Sequence, residues 1–281
     1  MDQLKIMIGD CREQMRLLAD GSVQTCVTSP PYFGLRDYGH DGQIGLETTP
    51  DDFTAAMVDI FREVRRVLRD DGTLWLNLGD SYGAGKQLLG IPWRVAFALQ
   101  ADGWYLRQDI IWNKPNPMPE SVRDRCTKAH EYIFMFSKSS RYRFGSEAIK
   151  EPVAPSSAAR LAQSTLAQQV GSTRVPGKTN GNMKAVGNGE TRNKRSVWTV
   201  TTKPYKGAHF ATFPPDLIEP CILAGSRPGE TVLDPFGGSG TTAGVAIKHG
   251  RKAVLCELNP EYAALVPDRI ASIAGEGWEL L

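Results

Sequence analysis

The sequence predicts an α/β fold in which a mostly parallel, doubly wound sheet is interrupted by one irregular insertion. Strand-like apolar runs alternate with helical patterns over residues 1–149, and the same alternation returns over residues 207–281. Between them, residues 150–206 are rich in Ser, Thr, Asn, Gln, Gly and basic residues and have almost no periodic apolar pattern. Such a segment has too little apolar content to fold alone, so we expect a long functional insertion or a segment partly disordered without its partner.

The first stretch contains four strand-like runs and one clear helix. The helix follows Thr49, a favourable N-cap residue, and has Pro50 at its first position. The turn Asp71-Gly72 then leads into the next strand. The apolar residues of the helix keep a helical period and predict one core-facing stripe: Phe53, Met57, Ile60, Phe61, Val64, Val67 and Leu68. The predicted strands are Val23 to Val27, Thr73 to Leu78, Leu106 to Trp112 and Tyr132 to Phe136.

The last stretch predicts two strands and three helices. A helix is expected around Pro215 to Ala224, and a further helix follows a glycine-rich loop and ends near Gly250. Asn259-Pro260 is typical of the start of the final helix. Pro220 and Pro267 interrupt helical patterns, and we expect a kink or break at each. The strands are the runs TVLD and AVLCE.

Composition indicates a soluble globular protein. Of the 281 residues, 41% are hydrophobic and 23% are charged, and no apolar run approaches the roughly 20 residues of a membrane span. The N-terminal residues carry charges where a signal peptide would be apolar, so we expect a cytoplasmic protein without a membrane partner. The five scattered cysteines form no C-x-x-C pair, which argues against a disulfide framework and against a metal site.

The positive charge is concentrated in the insertion. Residues 150–206 contain ten Lys or Arg against two acidic residues, a net charge of +8, while the whole chain has +2. This asymmetry indicates contact with a polyanion, and a solvated basic loop without a partner is the alternative.

A glycine-rich loop follows the strand TVLD. The run from Thr231 to Thr242, TVLDPFGGSGTT, reads as a strand, a sharp turn and the start of a helix, the place where doubly wound sheets bind nucleotide-like ligands. Glu257 lies 23 residues after Asp234, close to the interval at which an acid accepts from ribose hydroxyls. Asp234 is expected to accept from an ammonium group of the ligand. Gly238, Gly240 and Ala243 also match a nicotinamide-binding pattern, but only weakly.

The second motif is Thr28-Ser29-Pro30-Pro31-Tyr32, directly after the apolar strand VQTCV. With the Asp234 loop, it resembles the amino-methyltransferases, whose signature is [Asp/Asn/Ser]-Pro-Pro-[Tyr/Phe] paired with Asp-Pro-Phe-x-Gly-[Ser/Thr]-Gly-Thr. The resemblance implies catalysis by Ser29, Pro30, Pro31 and Tyr32.

The chemistry explains the residue types. An exocyclic base amine is a poor nucleophile because its lone pair is delocalised into the ring. The Ser29 hydroxyl and a backbone carbonyl around Pro30 can each accept an N–H hydrogen bond and localise that lone pair. Pro31 stiffens the loop, and Tyr32 offers a face on which an extruded base can stack. The rival chemistry, attack on cytosine C5, needs a nucleophilic cysteine, and Cys221 after Pro220 lies in an apolar helical pattern typical of core.

The order of the motifs, with the catalytic half first, the basic insertion next and the cofactor half last, is the permuted order of the β group of DNA amino-methyltransferases. The resemblance implies a Rossmann-like methyltransferase fold, S-adenosyl-L-methionine as cofactor, and double-stranded DNA as partner. Residues 1–149 would be the catalytic half, 150–206 the target-recognition insertion and 207–281 the cofactor half. The implied cofactor residues are Asp10, His209, Phe210, Asp234, Pro235, Phe236, Gly237, Gly238, Gly240, Thr241 and Glu257. The implied DNA contacts are Arg36, Arg174, Lys178, Lys184, Arg192, Lys194 and Arg195.

Within the family, serine at position 29 favours N4 of cytosine as the target, with N6 of adenine as the alternative. Methylation of a protein glutamine and a DNA-binding module with an inactive site are disfavoured by the residues present. A homodimer and a cognate restriction endonuclease are left open. Asp80 is either a polar group of the site or a strand-end cap, and His130 is expected to be structural. Arg36 and Asp37 could contact DNA or pair with each other.

Overall fold

The computed structural model describes residues 3–156, 159, 190–202, 212–275 and 277. The chain divides into two compact units, one formed by residues 1–145 with 196–281 and the other by residues 146–195. The boundaries predicted at residues 149 and 206 stay predictions.

The larger unit contains one eight-stranded sheet in its described residues. The strands are β1 (Leu4–Ile8), β2 (Val23–Thr28), β3 (Leu68–Leu78), β4 (Tyr105–Asn113), β5 (His130–Ser137), β8 (Val197–Thr199), β9 (Thr231–Asp234) and β10 (Lys252–Glu257). Their order across the sheet is β1-β10-β9-β2-β3-β5-β4-β8. The neighbours from β1 to β3 are parallel, β5 is antiparallel to both β3 and β4, and β8 is parallel to β4.

Helices cover both faces of this sheet. The helices are α1 (Cys11–Arg16), α2 (Pro50–Val67), α3 (Ile91–Ala101), α4 (Pro215–Gly225), α5 (Thr241–Lys248), α6 (Pro260–Ala264) and α7 (Val266–Ala274). Apolar residues of α1, α2 and α3 share one buried cluster with Leu74, Leu76 and Phe134 of the sheet. On the opposite face α4 packs against β2 and β3, and it lies so close that a Cβ on Gly225 would come 2.5 Å from the Thr25 hydroxyl oxygen. The predicted doubly wound α/β architecture is confirmed.

Helix α2 begins and packs as the sequence predicts. The Thr49 hydroxyl accepts a hydrogen bond from the amide of Asp52 at 3.1 Å, and Pro50 is the first helical residue. All seven residues of the predicted stripe are completely buried, but the last of them, Leu68, is the first residue of β3 and not part of the helix. Asn259 likewise caps α6 by accepting from the Glu261 amide at 2.8 Å.

The two prolines behave differently. The last helical segment is broken as expected, because α6 ends at Ala264 and α7 restarts at Val266, with Pro267 in its first turn. Pro220 does not break its helix, because α4 continues from Pro215 to Gly225. Buried residues flank the proline: Leu217, Ile218, Cys221 and Ile222. Their packing offsets the loss of the hydrogen bond that proline cannot donate.

The smaller unit contains a two-stranded antiparallel sheet formed by β6 (Glu151–Pro152) and β7 (Thr191–Arg192). None of the described helices in either unit combines the length and the apolar character that crossing a bilayer requires. Cys126 is exposed, while the other four cysteines are buried.

Candidate active site

The two sequence motifs follow neighbouring strands. β2 and β9 are parallel and adjacent, with Thr25 opposite Val232 and Cys26 opposite Leu233. Because parallel strands end at the same edge of a sheet, the Ser29 loop and the Asp234 loop emerge side by side. The Thr28 hydroxyl joins them directly by donating a hydrogen bond to the Asp234 carboxylate at 2.6 Å.

Asp234 is 2% exposed and accepts two further hydrogen bonds. The Thr242 hydroxyl donates to its second oxygen at 2.7 Å, and the Phe236 amide donates to the first at 3.0 Å. Burial raises the pKa of Asp234 to about 6, against the opposing effect of these hydrogen bonds. The carboxylate therefore fixes the glycine-rich loop as well as lining the cavity beside it.

Glu257 holds the other side of the same loop. Its carboxylate accepts from the Gly238 amide at 2.7 Å and from the Asn259 amide at 2.9 Å. Burial raises the pKa of Glu257 above its usual range, although both amide hydrogen bonds act in the opposite direction. Gly238 has a φ of 51°, a left-handed conformation that glycine adopts readily.

Asp10 lies after β1, which pairs with β10 so that Ile8 is opposite Glu257. Its carboxylate caps α1 by accepting from the Arg12 amide at 2.8 Å and also accepts from the Arg12 guanidinium. Hydrogen bonding to that guanidinium lowers the pKa of Asp10 below its usual value. An ionised acid thus lies at the end of the strand next to Glu257.

The Ser29 loop is held by its tyrosine. The Tyr32 hydroxyl donates to the Glu131 carboxylate at 2.6 Å, and the Ser29 hydroxyl donates to the Tyr32 oxygen at 3.4 Å. The Tyr32 ring lies against the backbone of Gly79, where a Cβ would come 2.5 Å from the ring atom Cε2. Only glycine leaves room for the ring in this position.

Sequence reasoning missed the polar group around Tyr32. Glu131 accepts from Tyr32, from the Asn77 amide at 3.1 Å and from the Lys114 ammonium group. These side chains come from separate parts of the chain, so no local spacing indicates that they meet. The one available signal was an acidic residue, Glu131, at the start of an otherwise apolar strand.

Both motif loops line one cavity of about 880 Å³, within the range of small-molecule sites. Most of the predicted site residues lie on its wall: Asp10, Ser29, Pro30, Pro31, Tyr32, Arg36, Asp234, Pro235, Phe236, Gly237, Gly238, Thr241 and Glu257. Gly240 is instead the N-cap of α5 and packs against Val266. His209 and Phe210 lie outside the described residues, while the nearby Phe213 lines the cavity.

Of the predicted DNA contacts, Arg36 lies on the cavity wall. In the smaller unit Arg192 and Arg195 both contact the Glu151 carboxylate, with nitrogen–oxygen distances of 2.9 and 2.5 Å. Lys194 lies in the described segment between them. Arg174, Lys178 and Lys184 fall outside the described residues.

Four residues whose roles the sequence leaves open have defined surroundings. The Asp80 carboxylate accepts from the amide of Ser81 at 2.9 Å and from the amide of Ile91, the first residue of α3, at 3.0 Å. His130 packs edge-on against Tyr132, with ring centroids 5.4 Å apart. Cys221 is completely buried in α4, as expected of a core residue. Asp37 accepts from the Gly39 amide at 2.8 Å.

The cavity fits a ligand with hydroxyl and ammonium groups. The acidic side chains on its wall include Asp10, Asp234 and Glu257, and the glycine-rich loop lines it as well. The Ser239 hydroxyl also lines it, is 1% exposed, and has no hydrogen-bond partner among the described residues. A buried polar group of this kind is available to a bound molecule. Within the described part of the chain, no cluster of three or more His, Cys, Asp or Glu residues is arranged to hold a metal ion.

Residues 23–267 match the family model of the N6 and N4 methyltransferases, which is described as DNA methylase. The type II methyltransferase M.XycI of Xanthomonas campestris pv. cyanopsidis is 47% identical over 93% of this chain and 86% of its own length. Among solved structures, the DNA modification methylase TTHA0409 of Thermus thermophilus, complexed with S-adenosyl-L-methionine, is 25% identical over 99% of both chains, with a TM-score of 0.64. PvuII DNA methyltransferase (cytosine-N4-specific) has the same fold, with a TM-score of 0.71 at 20% identity over 99% of this chain and 95% of its own.

These similarities confirm the predicted resemblance and the predicted fold of an S-adenosylmethionine-dependent methyltransferase. The family model spans both motif loops and the strands that bring them together. The chain therefore belongs to the DNA methylase family, as a DNA methyltransferase of the N6/N4 class.

Proposed function

We propose that this chain transfers the methyl group of S-adenosyl-L-methionine to the exocyclic N4 of cytosine in double-stranded DNA. The observation that carries the proposal is the junction of the Ser29 loop and the Asp234 loop at adjacent strand ends, where both line one cavity. Serine at position 29 favours cytosine within the family, and N6 of adenine is the alternative target.

When bound, S-adenosyl-L-methionine supplies an electrophilic methyl group on a sulfonium sulfur. The residues that would hold it are Asp10 and Glu257 at the nucleoside end and Asp234 at the ammonium end. A carboxylate offers about four acceptor positions, and Asp234 uses three of them within the protein, which leaves one for the ligand. The Ser239 hydroxyl provides an additional contact.

Ser29 acts on the target amine. Its oxygen can accept one N–H hydrogen bond, and the carbonyl of Pro30 can accept the other, which draws the nitrogen toward a tetrahedral geometry. The lone pair is then directed at the electrophile instead of being delocalised into the ring. The serine therefore needs its lone pairs free and its own hydrogen directed elsewhere, and the hydrogen bond from Ser29 to Tyr32 has this direction.

The target base must leave the helical stack to reach this cavity, because the reacting nitrogen is inaccessible in a duplex. The Tyr32 ring lies at the cavity wall with Gly79 behind it and provides a stacking surface. Arg36 on the same wall would face the DNA backbone. The basic insertion, residues 150–206, is proposed as the target-recognition region because its charge suits a polyanion.

M.XycI is named a type II methyltransferase. By extension, we propose that this chain works in a restriction–modification system and protects DNA from a cognate endonuclease. Homodimer formation and a cytoplasmic location stay predictions.

The proposal is tested by incubating the protein with methyl-labelled S-adenosyl-L-methionine and unmethylated genomic DNA. The wild-type protein should transfer label to DNA. Ser29→Ala should abolish transfer while DNA and cofactor affinities stay within about twofold of wild type, because only the amine contact is lost. Equal loss of transfer and of DNA binding would contradict the role assigned to Ser29.

A further inference from the structure

Glu131 is a cavity-lining carboxylate to which the mechanism above gives no role. It lies near the start of β5, and its side chain is 15% exposed. It accepts hydrogen bonds from three donors that belong to three other parts of the chain: Tyr32, Asn77 and Lys114. A carboxylate satisfied by three convergent donors holds a defined position.

The direction of these hydrogen bonds determines which lone pairs of Ser29 are available to a substrate. An ionised carboxylate only accepts, so the Tyr32 hydrogen must point to Glu131, at 2.6 Å between the oxygens. The Tyr32 oxygen is then left to accept the hydrogen of Ser29, at 3.4 Å. At this length the second contact is weaker than the hydrogen bond from Tyr32 to Glu131. The lone pairs of Ser29 consequently face away from Tyr32 and are available to a base amine.

The surroundings keep this arrangement in place. Asn77 donates to Glu131 and also to the Tyr132 carbonyl oxygen at 3.0 Å, which fixes the orientation of its amide. The Lys114 ammonium group lies over the Trp112 ring, 4.3 Å from the centroid. Burial and the neighbouring Glu131 charge raise the pKa of Tyr32 well above its usual value, so the phenol remains a donor. Lys128 is a further charged group near Glu131, and burial lowers the pKa of this lysine.

We propose that Glu131 is a positioning residue, which fixes the Tyr32 ring and directs the Tyr32 and Ser29 hydroxyls so that the Ser29 oxygen accepts from the target amine. This inference rests on the proposed function. It adds a third residue, from a strand that carries neither motif, to the Ser29–Tyr32 pair.

The test is a double-mutant cycle on the single-turnover rate of methyl transfer. Glu131→Gln offers one acceptor oxygen where three donors converge, and Tyr32→Phe removes the hydroxyl but keeps the ring. Each should lower the rate by about tenfold or more, with cofactor affinity within about twofold of wild type. The double variant should be no slower than the slower single variant, because both changes break the same chain of contacts. Glu63→Gln, which removes a carboxylate paired with Arg66 on α2, is the matched control and should have the wild-type rate.

A wild-type rate in Glu131→Gln, or losses that multiply in the double variant, would overturn the inference. A second readout does not depend on activity. With ¹³Cζ-labelled tyrosine, the Tyr32 signal is identified by its absence in Tyr32→Phe, and it should shift in Glu131→Gln at neutral pH but not in Glu63→Gln. An unchanged Tyr32 signal in Glu131→Gln would contradict the hydrogen bond between Tyr32 and Glu131. Failure of the wild-type protein to methylate DNA would instead count against the proposed function, and the tyrosine signal would then decide the inference.

Discussion

The Thr28 hydroxyl donates a 2.6 Å hydrogen bond to the Asp234 carboxylate across 206 residues of sequence. This contact ties the strand that precedes the Ser29 loop to the strand that precedes the glycine-rich loop. Both groups are buried, so neither exchanges this partner for water. The relative position of the two loops therefore depends on a specific polar contact as well as on sheet pairing.

Thr28→Val is expected to destabilise the protein. The change keeps the side-chain shape but leaves the buried Asp234 carboxylate with one donor fewer, at a cost of about 1–3 kcal/mol in the free energy of unfolding. Urea unfolding measures it. Thr54→Val, which removes a hydroxyl that donates to the Pro50 carbonyl within α2, is the control and should cost about 0.5 kcal/mol or less. Equal losses of unfolding free energy in the two variants would show that the contact with Asp234 stabilises the protein no more than the hydroxyl contact within α2 does.

Asp234 should give stability a characteristic dependence on pH. Its pKa is about 6 in the folded protein against an ordinary value of 3.8, so the folded state binds this proton more tightly. The associated stabilisation is fully present below pH 3.8 and is lost as the pH rises through 6, on the order of 3 kcal/mol in total. Asp234→Asn removes the titration. Between about pH 4 and 7, the difference in unfolding free energy between variant and wild type should therefore shift in favour of the variant. A difference that does not change with pH would contradict the raised pKa of Asp234 in the folded protein.

Cofactor affinity should fall below the same pKa. If the ionised Asp234 accepts from the ligand's ammonium group, affinity for S-adenosyl-L-methionine is constant above about pH 7 and about tenfold weaker one pH unit below the pKa of about 6. Isothermal titration calorimetry at several pH values measures this. An affinity unchanged from pH 7 to pH 5 would assign Asp234 a purely structural role in the loop.

Gly79→Ala should slow methyl transfer without preventing cofactor binding. The new Cβ would come 2.5 Å from Cε2 of Tyr32, so the ring must move from its place beside Ser29. We expect a loss of about tenfold or more in the single-turnover rate. Gly229→Ala serves as the control. Gly229 adopts a positive φ and has open space around its Cβ position, so this variant should lose stability while its rate stays near wild type.

The paired arginines of the smaller unit give a prediction for DNA binding. Two guanidinium groups, Arg192 and Arg195, contact the Glu151 carboxylate, and residues 150–206 as a whole have a net charge of +8. If the insertion contacts DNA, Arg195→Gln should reduce the slope of log affinity against log salt by about one. Lys252→Gln, a change of one exposed cation on β10, should leave the slope unchanged. A slope insensitive to Arg195 would place the DNA contact elsewhere.

Much of the fold could be predicted because local signals and tertiary packing agree. The capped helix from Pro50, its buried stripe and the strands that carry both motifs all have strong sequence patterns. The break considered at Pro220 does not occur, because the buried residues on either side keep the helix continuous although proline removes a hydrogen bond.

The candidate site could be predicted only where it is local in sequence. Ser29 and Asp234 stand in compact motifs, and the structure brings both to one cavity. Glu131, Asn77 and Gly79 could not be found in this way, because their importance comes from convergence on the Tyr32 side chain. That convergence depends on β5 pairing antiparallel with β3, which places Tyr132, the neighbour of Glu131, opposite Leu78, the neighbour of Asn77.

The most direct test of the proposed activity identifies the methylated nucleoside. Unmethylated genomic DNA is incubated with the protein and methyl-labelled S-adenosyl-L-methionine, digested to nucleosides and analysed by mass spectrometry, with Ser29→Ala as the inactive control. N4-methylcytosine is the predicted product. N6-methyladenine as the product would agree with the proposed cofactor and the role of Ser29 but contradict the proposed target base. The absence of any labelled nucleoside would contradict the proposed activity on DNA.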